Sequence, residues 1–221
     1  MNRLFDRNDN LAIIIAGMFA IIIGLGVARF AFTSLIPSML ENYLTITFAG
    51  ILASLNFAGY LSGSLLSIFI KDINQKVILF RFGIFLAITS TLALGFSTND
   101  TVWVIARIVA GFAGAMAFVV GSAIVMTKLQ MESKTKAMGI HFSGIGFSIL
   151  STDLINRYVL SVGGLWQDSW IILSAFAFVL SIYSIYILSF DKKVSQNGTK
   201  HKFDKSIFNL FVIILIVAYF A

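Results

Sequence analysis
The chain alternates long apolar runs with short polar connections, and that rhythm fits a bilayer. A helix needs about 20 apolar residues to cross the hydrocarbon core. Runs of this kind fall near residues 11–38, 48–70, 77–97, 101–126, 137–157 and 168–190, and a seventh begins near Ser206 and is still running at Ala221. They are too long and too continuously apolar for barrel strands, which alternate over about 10 residues. The pattern predicts an all-α membrane protein. Residues 1–190 form a six-helix transmembrane bundle, 191–205 a polar, lysine-rich cytoplasmic linker, and 206–221 an incomplete seventh transmembrane helix.

Composition sharpens this reading. The chain is 58% hydrophobic and 12% charged, with mean hydropathy +0.93. Soluble domains carry about 25% charge, so too little charge is present to coat a water-facing surface. The net charge of +6 is a topology signal. Arg3 and Arg7 precede the first span, Lys71, Lys76 and Arg81 flank the second connection, and Lys128, Lys134 and Lys136 flank the fourth. The linker adds Lys192, Lys193, Lys200, Lys202 and Lys205. The first and third connections have no basic residue and the fifth has only Arg157. Basic residues stay on the cytoplasmic side, so the N-terminus is expected there, with the lysines beside an anionic leaflet and no nucleic acid as partner. Trp103, Trp166 and Trp170 fall near outer span ends and read as interfacial anchors.

The absence of cysteine removes disulfides and thiolate metal sites. His141 and His201 are too far apart for a helical zinc motif, so neither metal nor cofactor is expected. No nucleophile–base pair and no GxSxG, HExxH or P-loop pattern is present, which speaks against an intramembrane enzyme. His141, near the inner end of the fifth span, reads as an interfacial structural residue.

Small residues recur at helical spacing. Gly59 and Gly63 share a face of the second span, Gly111 and Gly114 lie on the fourth, and Gly144 and Gly146 on the fifth. Such residues let membrane helices approach closely. By this criterion the first, second, fourth and fifth spans face inward. The third and sixth, with no charge in the middle, face lipid.

Four polar residues then stand out. Arg29 is the only charge between Leu11 and Leu40, and an arginine at the centre of a membrane helix costs roughly 2.5–3.5 kcal/mol on insertion scales. At 1.5 Å per residue, Arg29 lies ~27 Å above Leu11, Arg107 ~8 Å below Val102, Asn56 ~12 Å below Phe48 and Asp153 ~24 Å above Ala137. All four fall in the outer half of the bilayer. Arg29, Asn56, Arg107 and Asp153 are therefore candidates for binding or coupling a solute. A structural arginine at 29, or a local pair of Asp153 with Arg157 four residues on, is the competing reading. In the binding reading Asp153 pairs with one of the two arginines, and its protonation frees that arginine, a route to proton coupling.

These residues carry a family resemblance. Gly24-Leu-Gly26-Val-Ala-Arg29-Phe30-Ala31-Phe32-Thr33-Ser-Leu35-Ile36-Pro37-Ser-Met39 resembles the first helix of YbfB/YjiJ-type members of the major facilitator superfamily. Asn56-Phe57-Ala58-Gly59-Tyr60-Leu61-Ser62-Gly63 is similar to their second helix. Arg107-Ile-Val-Ala-Gly111-Phe-Ala-Gly114-Ala115 resembles the helix-four arginine–glycine motif, and Phe142-Ser143-Gly144-Ile145-Gly146 the small-residue stretch of helix five. The resemblance covers about residues 10–190. It implies a secondary transporter of two six-helix halves in a bacterial inner membrane, its first and fourth helices lining a central cavity, with this chain as the N-terminal half and the C-terminal half missing. Two departures limit it. The connection Lys71-Asp72-Ile73-Asn74-Gln75-Lys76 lacks the superfamily's glycine–aspartate–arginine pattern, and the fifth helix lacks the antiporter glycine–proline motif. The expected function is transport of a small polar or anionic solute. The rival is a stand-alone six-helix protein that self-associates as a half-transporter or serves as an interaction partner.

Overall fold
The computed structural model describes residues 5–129 and 134–189. The expected linker at 191–205 and the seventh helix at 206–221 lie outside the described residues. Six helices are long and apolar enough to cross a membrane: α1 Asn10–Leu40, α2 Ile46–Phe69, α3 Ile73–Phe96, α4 Asp100–Lys128, α5 Lys134–Ser161 and α6 Trp166–Ile187. Their ends differ from the apolar runs by at most four residues, and polar caps start several of the helices ahead of their apolar segments. Asp9, Thr45, Asp72 and Asn99 each accept a hydrogen bond from a first-turn amide of the helix that follows. Asp168 Oδ2 accepts from the Leu165 amide at 2.8 Å to start α6. Each cap satisfies donors that would otherwise be orphaned at a helix start.

The bundle is built around α1 and α4, the two most buried helices. Helix α2 lies along α4, α3 packs on α4 and α6, and α5 packs on α1. Helices α2 and α5 are the most exposed of the six. The inward assignment of α1 and α4 matches this burial, whereas α2 and α5 each pack on the central pair through one face and leave the other uncovered within the bundle. The small residues of α2 fit one narrow stripe, while Phe57, Leu61, Leu65 and Phe69 stand exposed around the rest of it. On α5 the exposed side chains include Ile140, Phe147, Leu150 and Leu154.

The α2–α4 contact explains the glycines. A Cβ at Gly59 would lie 2.1 Å from the Ile108 carbonyl oxygen, and one at Gly111 would lie 2.0 Å from the Asn56 carbonyl oxygen. The two backbones touch there, which only a residue without a side chain allows. Gly63 meets Ala115, Gly114 meets the Gly24 carbonyl, and Gly144 meets Met18. Gly146 packs against nothing within 4 Å, so it is not a packing glycine, and it lines a groove described below.

Both central helices widen in mid-membrane. Residues Ile22–Phe30 of α1 and Met116–Val120 of α4 form π-helical turns, and the Ala31 amide donates to the Gly26 carbonyl. The widened segments face one another, since a Cβ at Gly24 would come 2.9 Å from that of Ala117. Such turns are rare and occur frequently at functional sites.

At the Tyr43 end of the bundle the tryptophans depart from their expected interfacial role. Trp103 and Trp170 are fully buried, and Trp166 nearly so. Trp103 packs edge-on against both others, while Tyr43 stacks on Trp166 at 5.3 Å between ring centres. They close the bundle from inside. The Tyr43 hydroxyl lies 3.4 Å from Asp100 Oδ1. Burial first, then the Asp100 charge, pushes its phenol up to about 12, so it stays protonated and donates. At the opposite end Lys128 Nζ donates to the Ile187 and Ser189 carbonyls at 2.6 and 2.7 Å, where a cation offsets the negative end of α6.

The backbone contact gives the first prediction. Gly111→Ala forces α2 and α4 apart and lowers stability by about 1–3 kcal/mol, the usual range for overpacking. Gly139→Ala, where a Cβ meets nothing within 4 Å, should unfold at the wild-type temperature or slightly above it. Thermal melts in detergent, followed by circular dichroism, measure both.

Candidate functional site
Three of the four expected site residues converge. The Ala28 carbonyl, one residue before Arg29, accepts hydrogen bonds from Asn56 Nδ2 on α2 at 3.2 Å and Arg107 Nη1 on α4 at 3.3 Å. Asn56 Nδ2 also donates to the Arg107 carbonyl at 3.0 Å. Asn56 and Arg107 are almost wholly buried, at 1% and 2% exposure. The guanidinium of Arg107 lies over the Phe32 ring at 4.3 Å, so an aromatic face takes part of its charge.

Arg29 is held differently. It is partly exposed, and its guanidinium sits 4.1 Å from the centre of Phe57, 5.1 Å from Tyr60 and 5.7 Å from Phe30. The aromatic residues of α2 thus hold it beside the Asn56–Arg107 tie, where its charge acts on Arg107. Among the described residues neither arginine has a carboxylate within salt-bridge distance. Arg107 Nε and Asn56 Oδ1 are buried without a hydrogen-bond partner among the described residues. The site therefore holds two cations, unspent donors and no counter-charge, a set suited to an anionic or strongly polar group.

Asp153 lies on the other flank of α1. Its Oδ2 accepts from Arg157 Nε at 2.6 Å, four residues along α5, and the two side chains are 33% and 76% exposed. The structure thus has the local pair, and it does not bring Asp153 to Arg29 or Arg107. Asp153 borders a groove of about 580 Å³ between Phe30, Thr33 and Ser34 of α1 and Gly146 and Ile149 of α5.

Sequence reasoning passed over Asn156. It is buried, and its Nδ2 donates to the Ala31 carbonyl at 3.3 Å and to Ser34 Oγ. It ties α5 to α1 as Asn56 ties α2 to α1, three residues further along. An amide inside an apolar span was the available signal, hidden by its nearness to the charged Asp153 and Arg157. His141 was also misjudged. It is fully buried between α1, α4 and α5, away from the interfacial position expected of it. Among the described residues no group of three or more histidine or carboxylate side chains could hold a metal ion.

A family model described as "Uncharacterised MFS-type transporter YbfB" matches residues 21–221, a span that includes all four site residues. No curated protein matches the chain.

The geometry separates the residues by cost. Asn56→Leu leaves the buried Ala28 and Arg107 carbonyls short of a donor and destabilises by about 1–3 kcal/mol. Asp153→Asn, which removes one partner of an exposed ion pair, changes stability by no more than about 0.5 kcal/mol. Melting temperatures of the purified variants test the contrast.

Proposed function
The chain belongs to the YbfB-type family of major facilitator superfamily transporters, and from that premise we propose that it is the N-terminal half of a secondary active transporter for a small polar or anionic solute. The observation that carries this reading is the pair Arg29 and Arg107, two cations at mid-helix with no carboxylate partner among the described residues. An intramembrane charge is retained where it faces a pathway or a partner. Here the solute supplies the missing negative group. Asn56 positions Arg107 and contributes its open Oδ1. The wide turns beside the site supply backbone that can rearrange as the helices rock.

The six described helices act as one of the two bundles that alternating access requires. The exposed apolar faces of α2 and α5 support this, since a second bundle would cover them. Asp153, which borders the groove between α1 and α5, is the candidate for coupling the solute to a second ion. The protein sits in a bacterial inner membrane with its N-terminus in the cytoplasm, as the basic connections indicate.

Two experiments test the reading. Cysteine is absent from the native sequence, so single cysteines report topology cleanly. In intact cells Thr98→Cys, between α3 and α4, should react with an impermeant maleimide, and Lys71→Cys, between α2 and α3, should not; the reverse labelling overturns the orientation. In the full-length protein, screened for stabilisation by a panel of organic and inorganic anions, Arg29→Lys keeps charge but loses the planar fork of donors. Loss of one charge-assisted bond, about 1.5–3 kcal/mol, should weaken binding by roughly 10- to 100-fold. Arg29→Leu should abolish binding while leaving insertion unchanged. Unaltered affinity in both variants reduces Arg29 to a structural residue.

A further inference from the structure
His141 has no part in the site just described, yet it is among the most completely enclosed polar side chains in the bundle. Its Nε2 lies 2.9 Å from Ser122 Oγ on α4. Its Nδ1 has no hydrogen-bond partner among the described residues. That atom faces Gly17 of α1, where an added Cβ would come within 2.5 Å of it. Gly17 is thus a notch cut for the ring, with Val125 of α4 as its other wall. Gly17 and His141 each lie seven residues inside their helix, ~10 Å from its Asn10 or Lys134 end, and Ser122 lies ~9 Å from Lys128. The junction therefore sits in the half of the bundle opposite Arg29.

Among the described residues the surroundings of the ring are uncharged. Helix α1 presents Gly17, α4 presents Ser122 and Val125, and α5 itself presents Phe142, whose ring centre is 5.1 Å away. Among the described residues no charged group acts on the imidazole. The nearest basic end group of α4, Lys128, is engaged by the last carbonyls of α6.

This arrangement is unusual for a purely structural residue. A neutral imidazole has one donor and one acceptor nitrogen, and with Nε2 on Ser122 either tautomer leaves Nδ1 unspent. Added protonation turns both nitrogens into donors. Whichever tautomer precedes, the charged ring has an Nδ1–H facing the Gly17 backbone, and among the described residues no carboxylate meets its charge. A buried unpaired ion is strongly disfavoured. The ring can hold the proton only after α5 has moved off Gly17, far enough for Nδ1–H to reach water or a backbone carbonyl. Protonation and the α1–α5 seam are thus mechanically linked.

We propose that His141 is a proton-binding site whose occupancy opens the seam between α1 and α5 in the half of the bundle nearer Lys128 and Lys134. The site is a coupling element separate from Asp153 and independent of whether Arg29 and Arg107 bind an anion. Its ligand is the proton, and its mechanical output is displacement of α5.

The seam can be read without a substrate. A Cβ at Gly144 would lie 3.3 Å from that of Met18, close to disulfide geometry. Met18→Cys with Gly144→Cys should cross-link in the otherwise cysteine-free chain. Yields between about pH 8 and pH 5, the range in which histidine charge is normally switched, are compared with the same pair in a His141→Gln background. The Gln chain removes the pH dependence of the thiols themselves. The His chain should lose about threefold or more of its relative yield at the acid end, as a population shift of the seam requires; identical pH profiles overturn the proposal. If the Gln chain fails to fold, nitrogen-15 labelling of the two histidines gives a second measurement. In a His201→Gln background the remaining imidazole, His141, should acquire the imidazolium pattern between about pH 8 and pH 5, together with faster amide exchange in α5. A buried imidazole that stays neutral throughout, or that charges with no change in α5 exchange, overturns it as well.

Discussion
The Ala28 carbonyl is the point on which the rest of the bundle depends. Within a bilayer no water satisfies an exposed backbone group, so partners must come from neighbouring helices. Here Asn56 of α2 and Arg107 of α4 donate to one oxygen of α1, and Asn56 also holds the Arg107 carbonyl. Three helices are fixed at one depth by a single amide and a single guanidinium. The glycines follow from this tie. Asn56 can reach both carbonyls only if α2 and α4 touch, and Gly59 and Gly111 remove the side chains that would hold them apart. The small-residue stripe and the polar tie are two sides of one constraint.

That constraint also decides the electrostatics. A buried arginine is commonly neutralised by a carboxylate, and such a pair leaves no field for a ligand. In this bundle Arg107 is accommodated by a backbone oxygen and the face of Phe32, and Arg29 by the rings of Phe57 and Tyr60. Carbonyl dipoles and aromatic quadrupoles lower the cost of burial without cancelling the charge. The protein thus keeps a positive excess inside the membrane. Helix α5 attaches to this core in another way. It is tied near its Ser161 end by Asn156 and near its Lys134 end by His141 and Ser122, with the groove along Gly146 and Ile149 between. Between those two ties α5 also packs directly on α1, at Gly144 against Met18 and at Ser148 and Thr152 against Gly26.

Much of this was legible in the sequence. Helices, their number and their order follow from run length, because the bilayer fixes how long an apolar helix must be. Arg29, Asn56 and Arg107 were legible because a polar residue in an apolar span has few uses, and because rise per residue puts all three at one depth. What sequence could not convey was azimuth. Depth alone placed Asp153 with the arginines, but it points away from them and pairs along its own helix. Depth placed His141 near an interface, but a notch on another helix, Gly17, buries it. The tryptophans had the right depth and the wrong surroundings, since Tyr43 and three indoles prefer one another to lipid. Gly146 had the spacing of a packing glycine with no helix facing it.

The unspent atoms bear on what kind of protein this is. Arg107 Nε, Asn56 Oδ1, Asn156 Oδ1 and His141 Nδ1 are all buried without a partner among the described residues. In a rigid core a half-satisfied polar network is worse than apolar packing of the same shape, so a single-state scaffold has no reason to retain one. A protein that alternates between arrangements is under a different requirement. Each polar group needs a partner somewhere in the cycle, and no one arrangement has to satisfy them all. These four atoms lie on α2, α4 and α5, each beside the central helix α1, and α1 and α4 are the two helices whose turns are widened. Open hydrogen-bonding capacity also occurs on α3 at Thr91 and on α6 at Ser169 and Trp170, but beside α1 it coincides with easily rearranged backbone. That coincidence is expected of an element whose contacts are exchanged as a transporter changes state.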